Sequence, residues 1–176
     1  ELSTPLPLMF FRPSYTQEVA ALVHYAVQVL KKTKIAVFFE ESEWGRHGKR
    51  AVERLLAQQR LTLAAAVSYQ PGSVNVQTAL AQIQKAEPHV VICVANGRPA
   101  YNFIREAVNR RLHYVSFLGI SLLAGIAEHL QNSRGITLVT SSVVPNPHNS
   151  DLPIVKEYRT DMQQYLPNKG LSTSSL

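Results

Sequence analysis

The sequence has few of the residues and motifs that mark disulfide scaffolds, membrane spans or nucleotide-binding loops. Its single cysteine, Cys93, cannot form an internal disulfide, and its place in the apolar run 90–95 predicts a buried, inert thiol. No apolar run approaches the roughly 20 residues that span a bilayer. Glycine-rich phosphate loops and the GxSxG and HExxH motifs are missing from the 176 residues. These absences argue against the enzyme classes that such motifs identify.

Charge is also sparse, and its distribution argues against nucleic acid as a partner. Charged residues make up 17% of the chain, and 18 Lys and Arg against 12 Asp and Glu give a net charge of +6. The basic residues are scattered through predicted helices and form no run with interleaved aromatics. The six histidines are dispersed without a metal-ligand spacing. We therefore expect no nucleic-acid partner, no metal and no cofactor.

The chain contains a regular alternation of strand-like and helix-like segments. Short apolar runs predict strands over 34–39, 61–68, 89–95, 114–118 and 136–144. Apolar residues at helical spacing predict helices over 14–32, 46–59, 76–84, 100–111, 122–130 and 153–165. Strands alternating with helices through short loops predict a three-layer α/β sandwich, a mostly parallel sheet flanked by helices.

The first predicted strand and helix, within residues 34–50, enclose the turn that we expect to be part of a binding site. Ligands of open α/β sheets gather at the carboxyl ends of the strands. Trp44, the only tryptophan, lies in this turn and offers a broad aromatic wall with a donor N–H. Asn96 and Ser121 follow the third and fourth strands. We predict a ligand site formed by Trp44, Asn96, Gly97, Ser121 and Ser42.

The same turn contains three acids, which could hold a metal or act as acid and base. Clustered carboxylates in a turn are more often solvated or cap a helix, so we interpret Glu40, Glu41 and Glu43 as surroundings of the site. A small metal-dependent α/β enzyme using these acids stays a minor alternative.

Several stretches together resemble a known family. They are FRPSY, EVAALVHY, KIAVFFEESEWGRHG, VVICVANGRPAYNFIREA, SFLG, GITLVTSSVVPNP and VKEYR. Their order is similar to that of the leucine/isoleucine/valine-binding proteins, the type I periplasmic substrate-binding proteins of ABC importers. Such proteins have two α/β lobes that close over a ligand, and this chain resembles the second lobe alone.

The resemblance implies a domain plan and a role for individual residues. Residues 1–13 would cross from a missing first lobe, residues 14–144 would form the ligand-binding lobe, and residues 145–176 would lead back. Trp44 falls where the family commonly has a tyrosine lining the cleft, and Asn96 falls where leucine-type binders have an aromatic. Ser121 falls where they have the acid that holds the α-ammonium group. Without that acid a free α-amino acid loses its charge-assisted partner, so we expect an amino-acid-like ligand, an amide, a carboxylate or another small polar metabolite.

We therefore expect a non-enzymatic binding component of an ABC importer, with a membrane permease as partner and a periplasmic or cell-surface location. The opening ELSTPLPL lacks a secretory pattern, so an export signal would have been removed or would lie outside this chain. A ligand-sensing domain of a receptor or transcription regulator with the same fold is the main alternative. The half-cleft of a single lobe should expose an apolar rim, so self-association is also expected.

Overall fold

The structure, a computed structural model, describes residues 12–130 and 135–171 and contains a five-stranded sheet. The strands are β1 Ile35–Glu40, β2 Ala65–Tyr69, β3 Val90–Val94, β4 Ser116–Gly119 and β5 Thr137–Thr140. All neighbours pair in parallel, in the order β2-β1-β3-β4-β5. The predicted parallel sheet is confirmed.

Helices cover the sheet on both faces. They are α1 Tyr15–His24, which continues as a π-helical turn over Tyr25–Val29, α2 Glu43–Gln58, α3 Gln77–Ala86, α4 Gly97–Asn109, α5 Ala124–Leu130 and α6 Pro153–Tyr165. Right-handed crossovers place α2 on one face and α3, α4 and α5 on the other. Helix α1 packs beside α2. The three-layer sandwich predicted from the alternation is therefore confirmed.

The core lies on the two central strands. Every residue of β1 and of β3 is buried, as expected for parallel strands covered on both faces. The Phe38 ring stacks on Phe103 at a centroid distance of 4.0 Å and on Tyr69 at 5.1 Å. Cys93 is buried as predicted, and burial raises the pKa of its thiol. The central strands thus form a rigid base for the loops at their ends.

The structure corrects several predicted boundaries, and two of these corrections fall at the candidate site. Helix α2 begins at Glu43 and α4 at Gly97, each earlier than the apolar periodicity indicated. Ser42 has an extended backbone and its Oγ accepts from the Gly45 N–H at 3.4 Å, so it caps α2. Of the predicted turn 40–45, residues 43–45 therefore form the first turn of α2, while Glu40 ends β1.

Strand and helix ends elsewhere are shorter or shifted. Strand β2 covers 65–69 where the pattern indicated 61–68, and β5 covers 137–140 where it indicated 136–144. A 3₁₀ turn, Ser121–Leu123, precedes α5. The loop before α6 is held by Arg159, whose guanidinium donates to the carbonyls of His148 and Ser150 at 3.0 Å.

Some predicted segments fall outside the described ranges. Of the predicted crossing segment 1–13, only Arg12 and Pro13 belong to the described residues, and the predicted tail is described only to residue 171. Within the described part of the chain, no helix combines the length and the apolar character that a membrane crossing requires.

At Gly48, helix α2 packs closely against strand β3 of the sheet. A Cβ there would lie 2.5 Å from Cγ1 of the buried Val94, whereas a Cβ at Gly125 in α5 would meet nothing within 4 Å. Gly48→Ala should lower the free energy of unfolding by about 1 kcal/mol or more, because overpacking outweighs the gain in helix propensity. Gly125→Ala is the matched control and should not destabilise the fold. Urea denaturation of both variants measures the difference, and equal stabilities would contradict the close approach.

Candidate ligand-binding site

The strand order creates a crevice between the carboxyl ends of β1 and β3. From β1 the chain moves outward to β2, and it then crosses back to β3 on the other side of β1. The connections after β1 and β3 therefore leave the sheet over opposite faces, which opens a space between them. Glu40 ends β1 and Asn96 follows β3, so both lie at this switch point.

The carboxylate of Glu40 is the centre of a polar network at the crevice. Glu40 is only 7% exposed. Its Oε1 accepts from Trp44 Nε1 at 2.9 Å, and its Oε2 accepts from Tyr69 Oη at 3.0 Å and from Asn96 Nδ2 at 2.7 Å. The backbone N–H of Asn96 in turn donates to Tyr69 Oη at 3.0 Å. One buried acid thus joins the ends of β1 and β2 with the starts of α2 and α4.

Hydrogen bonds keep this buried acid in its charged form. Burial by itself raises the pKa of the Glu40 carboxyl, but the donors around it lower the pKa, and the net shift is downward. These donors are Trp44, Tyr69, Ser42 and Asn96. Burial and the neighbouring charge of Glu40 raise the pKa of Tyr69, so its hydroxyl keeps the proton that it donates.

The interpretation of the three acids as solvated surroundings is therefore wrong for Glu40. Glu41 does lie at the surface, where it accepts from Arg46 at 2.9 Å, and Glu43 is exposed in the first turn of α2. The three carboxylates have different surroundings because Glu40 ends β1, Glu41 lies in the bend and Glu43 begins α2. Among residues 12–130 and 135–171, no group of three acids, histidines or cysteines could hold a metal ion.

Trp44 is fixed at the rim by its hydrogen bond and by a neighbouring ring. Its indole lies 6.0 Å from the ring of Tyr15 in α1, with the planes tilted by 42°. Gly45 lets the first turn of α2 approach β1 closely, since a Cβ there would lie 2.0 Å from the Glu40 carbonyl oxygen. The partly buried Trp44 therefore presents its ring at a defined angle, as a wall of a small-molecule site requires.

Asn96 and Gly97 begin helix α4. Asn96 is the N-cap residue, but its side chain makes no capping bond and donates to Glu40 instead. Gly97 borders a cavity of about 480 Å³ between α4 and α5, which Tyr101, Ile126 and His129 also line. The structure thus brings Asn96 together with Trp44 through Glu40, and it places Gly97 beside a neighbouring cavity.

Ser121 contacts a second buried carboxylate, which sequence reasoning missed. Glu18 in α1 is 4% exposed, and its Oε2 accepts from the Ser121 N–H at 2.7 Å and from Ser141 Oγ at 2.5 Å. Ser121 Oγ donates to Glu18 Oε1 at 3.2 Å. In the sequence, Glu18 is only an acid in the first turn of a predicted helix, and no pattern indicates its distant partners. A carboxylate is therefore present beside Ser121, although Ser121 itself carries none.

A comparison with protein families matches the periplasmic binding protein family to residues 7–176. Comparison with curated protein sequences gives no significant match. Many solved structures share the fold. One is described as a possible leucine/isoleucine/valine-binding protein from Rhodopirellula baltica SH 1, at 29% identity and TM-score 0.78, covering 93% of this chain and 46% of that one.

Two further solved structures are also matched by most of this chain over less than half of their own length. A substrate-binding periplasmic protein from Ralstonia solanacearum is 27% identical, with TM-score 0.76 and coverage of 92% and 46%. An ABC transporter solute-binding protein from R. palustris in complex with benzoate is 15% identical, with TM-score 0.75 and coverage of 89% and 42%, which supports the fold alone. The chain spans about half the length of these proteins.

Glu40→Gln should destabilise the protein at neutral pH by about 1–3 kcal/mol, because an amide presents a donor where only donors surround it. The lowered pKa means that Glu40 adds stability above its ordinary value of 4.5 and loses that contribution as the pH falls through the lowered value. The difference between wild type and variant should therefore shrink on acidification. Urea denaturation across a pH series measures it.

Glu53→Gln is the matched control for this experiment. Glu53 pairs with Lys49 at 3.0 Å on the exposed side of α2, and such pairs contribute only about 0.3–0.5 kcal/mol. An E40Q variant whose deficit is as large in acid as at neutral pH would show that the carboxylate form of Glu40 is not what holds the network.

Proposed function

Because the chain belongs to the periplasmic binding protein family, we propose that it is the second lobe of an ABC-importer substrate-binding protein. It would bind a small amino-acid-like or polar metabolite in a cleft between two lobes. The observation that carries the proposal is the connected patch of Trp44, Glu40 and Asn96 at the switch point of the sheet. In open α/β sheets this is the place where ligands bind.

The chemistry of the patch supports recognition of a small ligand without a reaction on it. Trp44 offers an aromatic surface, Asn96 an exposed amide and Ser42 a hydroxyl at the start of α2. Pre-formed hydrogen bonds fix the indole and the amide, so little side-chain freedom remains to be lost when a ligand arrives. The role of binding wall assigned to Trp44, Asn96, Gly97, Ser121 and Ser42 is thus part of the proposal.

The domain plan follows from the same proposal. Residues 1–13 and 145–176 would connect this lobe with a first lobe, which would supply the other wall of the cleft. Closure of two lobes around a hinge converts binding into a change of shape that a membrane permease can recognise. The proposed location is the periplasm or cell surface, the proposed partner is that permease, and no cofactor takes part.

The two-lobed protein that carries this chain should become more compact when it binds its ligand. Small-angle scattering with a panel of amino acids, amides and carboxylates should reveal at least one compound that lowers the radius of gyration and raises the melting temperature. The physical reason is that the closed state makes contacts to ligand from both lobes. If no compound in such a panel compacts or stabilises the protein, the proposal fails.

Trp44→Leu should weaken binding of any compound found in this way by about tenfold or more, since aromatic anchors dominate small binding sites. Trp44→Phe keeps a ring and should retain more of the affinity, although both variants lose the bond to Glu40. Isothermal calorimetry compares the three proteins. Equal affinity for wild type and Trp44→Leu would remove Trp44 from the ligand wall.

A further inference from the structure

Glu18 is a buried acid to which the proposed function gives no role. It is 4% exposed, and it belongs to none of the ion pairs found within residues 12–130 and 135–171. An acid in the first turn can offset the dipole of α1 from an exposed position, so the dipole alone does not explain this burial. A buried carboxylate is tolerated where hydrogen bonds replace the water it has lost. The hydrogen-bond partners of Glu18 therefore indicate what it does.

These partners come from two connections at the carboxyl edge of the sheet. Glu18 Oε2 accepts from the Ser121 N–H at 2.7 Å and from Ser141 Oγ at 2.5 Å, and Oε1 accepts from Ser121 Oγ at 3.2 Å. Ser121 follows β4 and Ser141 follows β5, at 103 and 123 residues beyond Glu18 in the chain. One side chain of α1 is thus tied to the ends of the last two strands.

The bond to Ser141 joins two segments that lie at opposite ends of the fold in sequence. Residues 12–14, which we call the entry segment, lead into α1, and Ser14 ties them to that helix by a capping box. Residues 141–144, the exit segment, follow β5. Glu18 lies one turn beyond Ser14, since its N–H donates to the Ser14 carbonyl at 3.0 Å. The Glu18 carboxylate therefore bridges the entry and exit segments.

We propose that Glu18 is a hinge-positioning residue, which clamps the entry and exit segments together on this lobe. In the proposed two-lobed protein, both segments would continue into connections with the first lobe. When both connections are fixed at one carboxylate, bending is confined to the residues beyond the clamp, and the lobes close about one axis. Glu18 acts on ligand binding through this geometry, without contacting the ligand. The inference rests on the proposed function and names a residue that controls its closure.

The clamp can be tested on the 176-residue chain itself. Nitroxide labels at Arg12→Cys and Ser142→Cys, two exposed positions, report the distance between the segments by pulsed electron resonance, and the buried Cys93 stays unlabelled. Ser141→Ala removes the hydroxyl, and Glu18→Gln leaves one acceptor oxygen for three donors. Each variant should broaden the distance distribution about twofold, because the exit segment detaches more often. Ser141→Thr keeps a hydroxyl and should retain the narrow distribution.

Ile83→Val is the matched control for a general loss of stability. Ile83 is fully buried in α3, which supplies no residue to the clamp, and shortening its side chain destabilises the core. Urea denaturation verifies that every labelled variant is folded under the conditions of the distance measurement. Ile83→Val should keep the narrow distribution. An unchanged distribution in both Ser141→Ala and Glu18→Gln, or equal broadening in Ile83→Val, would overturn the clamp.

The hinge role is tested on the two-lobed protein. Ser141→Ala should weaken binding of any compound that compacts the wild type by about threefold or more, because fewer free molecules hold the orientation from which the lobes close. Ser141→Thr should restore the affinity, and isothermal calorimetry compares the three proteins. Equal affinity for wild type and Ser141→Ala would overturn the hinge role. If no compound compacts the protein, the proposed function fails and the hinge role with it, whereas the labelled 176-residue chain decides the clamp independently.

Discussion

The carboxylate of Glu40 organises the candidate site, because three segments of the chain direct their donors at it. A buried acid without a cationic neighbour is tolerated only where hydrogen bonds replace the water it has lost. Trp44, Tyr69 and Asn96 supply these bonds from the starts of α2 and α4 and from the end of β2. The same bonds that keep Glu40 charged therefore fix the indole and the amide at the crevice.

Glu18 has a corresponding role at the carboxyl ends of β4 and β5. It ties α1 to the residues that follow β4 and β5, and the contact between Tyr15 and Trp44 connects the two networks. Such an edge is held in one arrangement before any ligand arrives. This arrangement supports the proposed function, in which a rigid lobe would carry binding energy into closure about a hinge.

Much of the fold could be predicted from residue patterns. The buried runs of β1 and β3, the number of strands and the buried Cys93 follow from local apolar periodicity, and the structure confirms them. The starts of α2 and α4 could not be located in this way, because their first turns, Glu-Trp-Gly and Gly-Arg-Pro, carry no regular apolar spacing. The hydrogen-bond partners of the acids could not be predicted either, because the sequence does not distinguish Glu40, Glu41 and Glu43.

The sequence by itself determined the class of fold, the order of its elements and the resemblance to periplasmic binding proteins, because these depend on patterns within single segments. Only the tertiary structure decided which polar residues bond to one another. The sheet order β2-β1-β3-β4-β5 brings Tyr69 and Asn96 to either side of Glu40, and it brings Ser121 and Ser141 to Glu18. These contacts join residues that are far apart in the chain, so no local pattern could specify them.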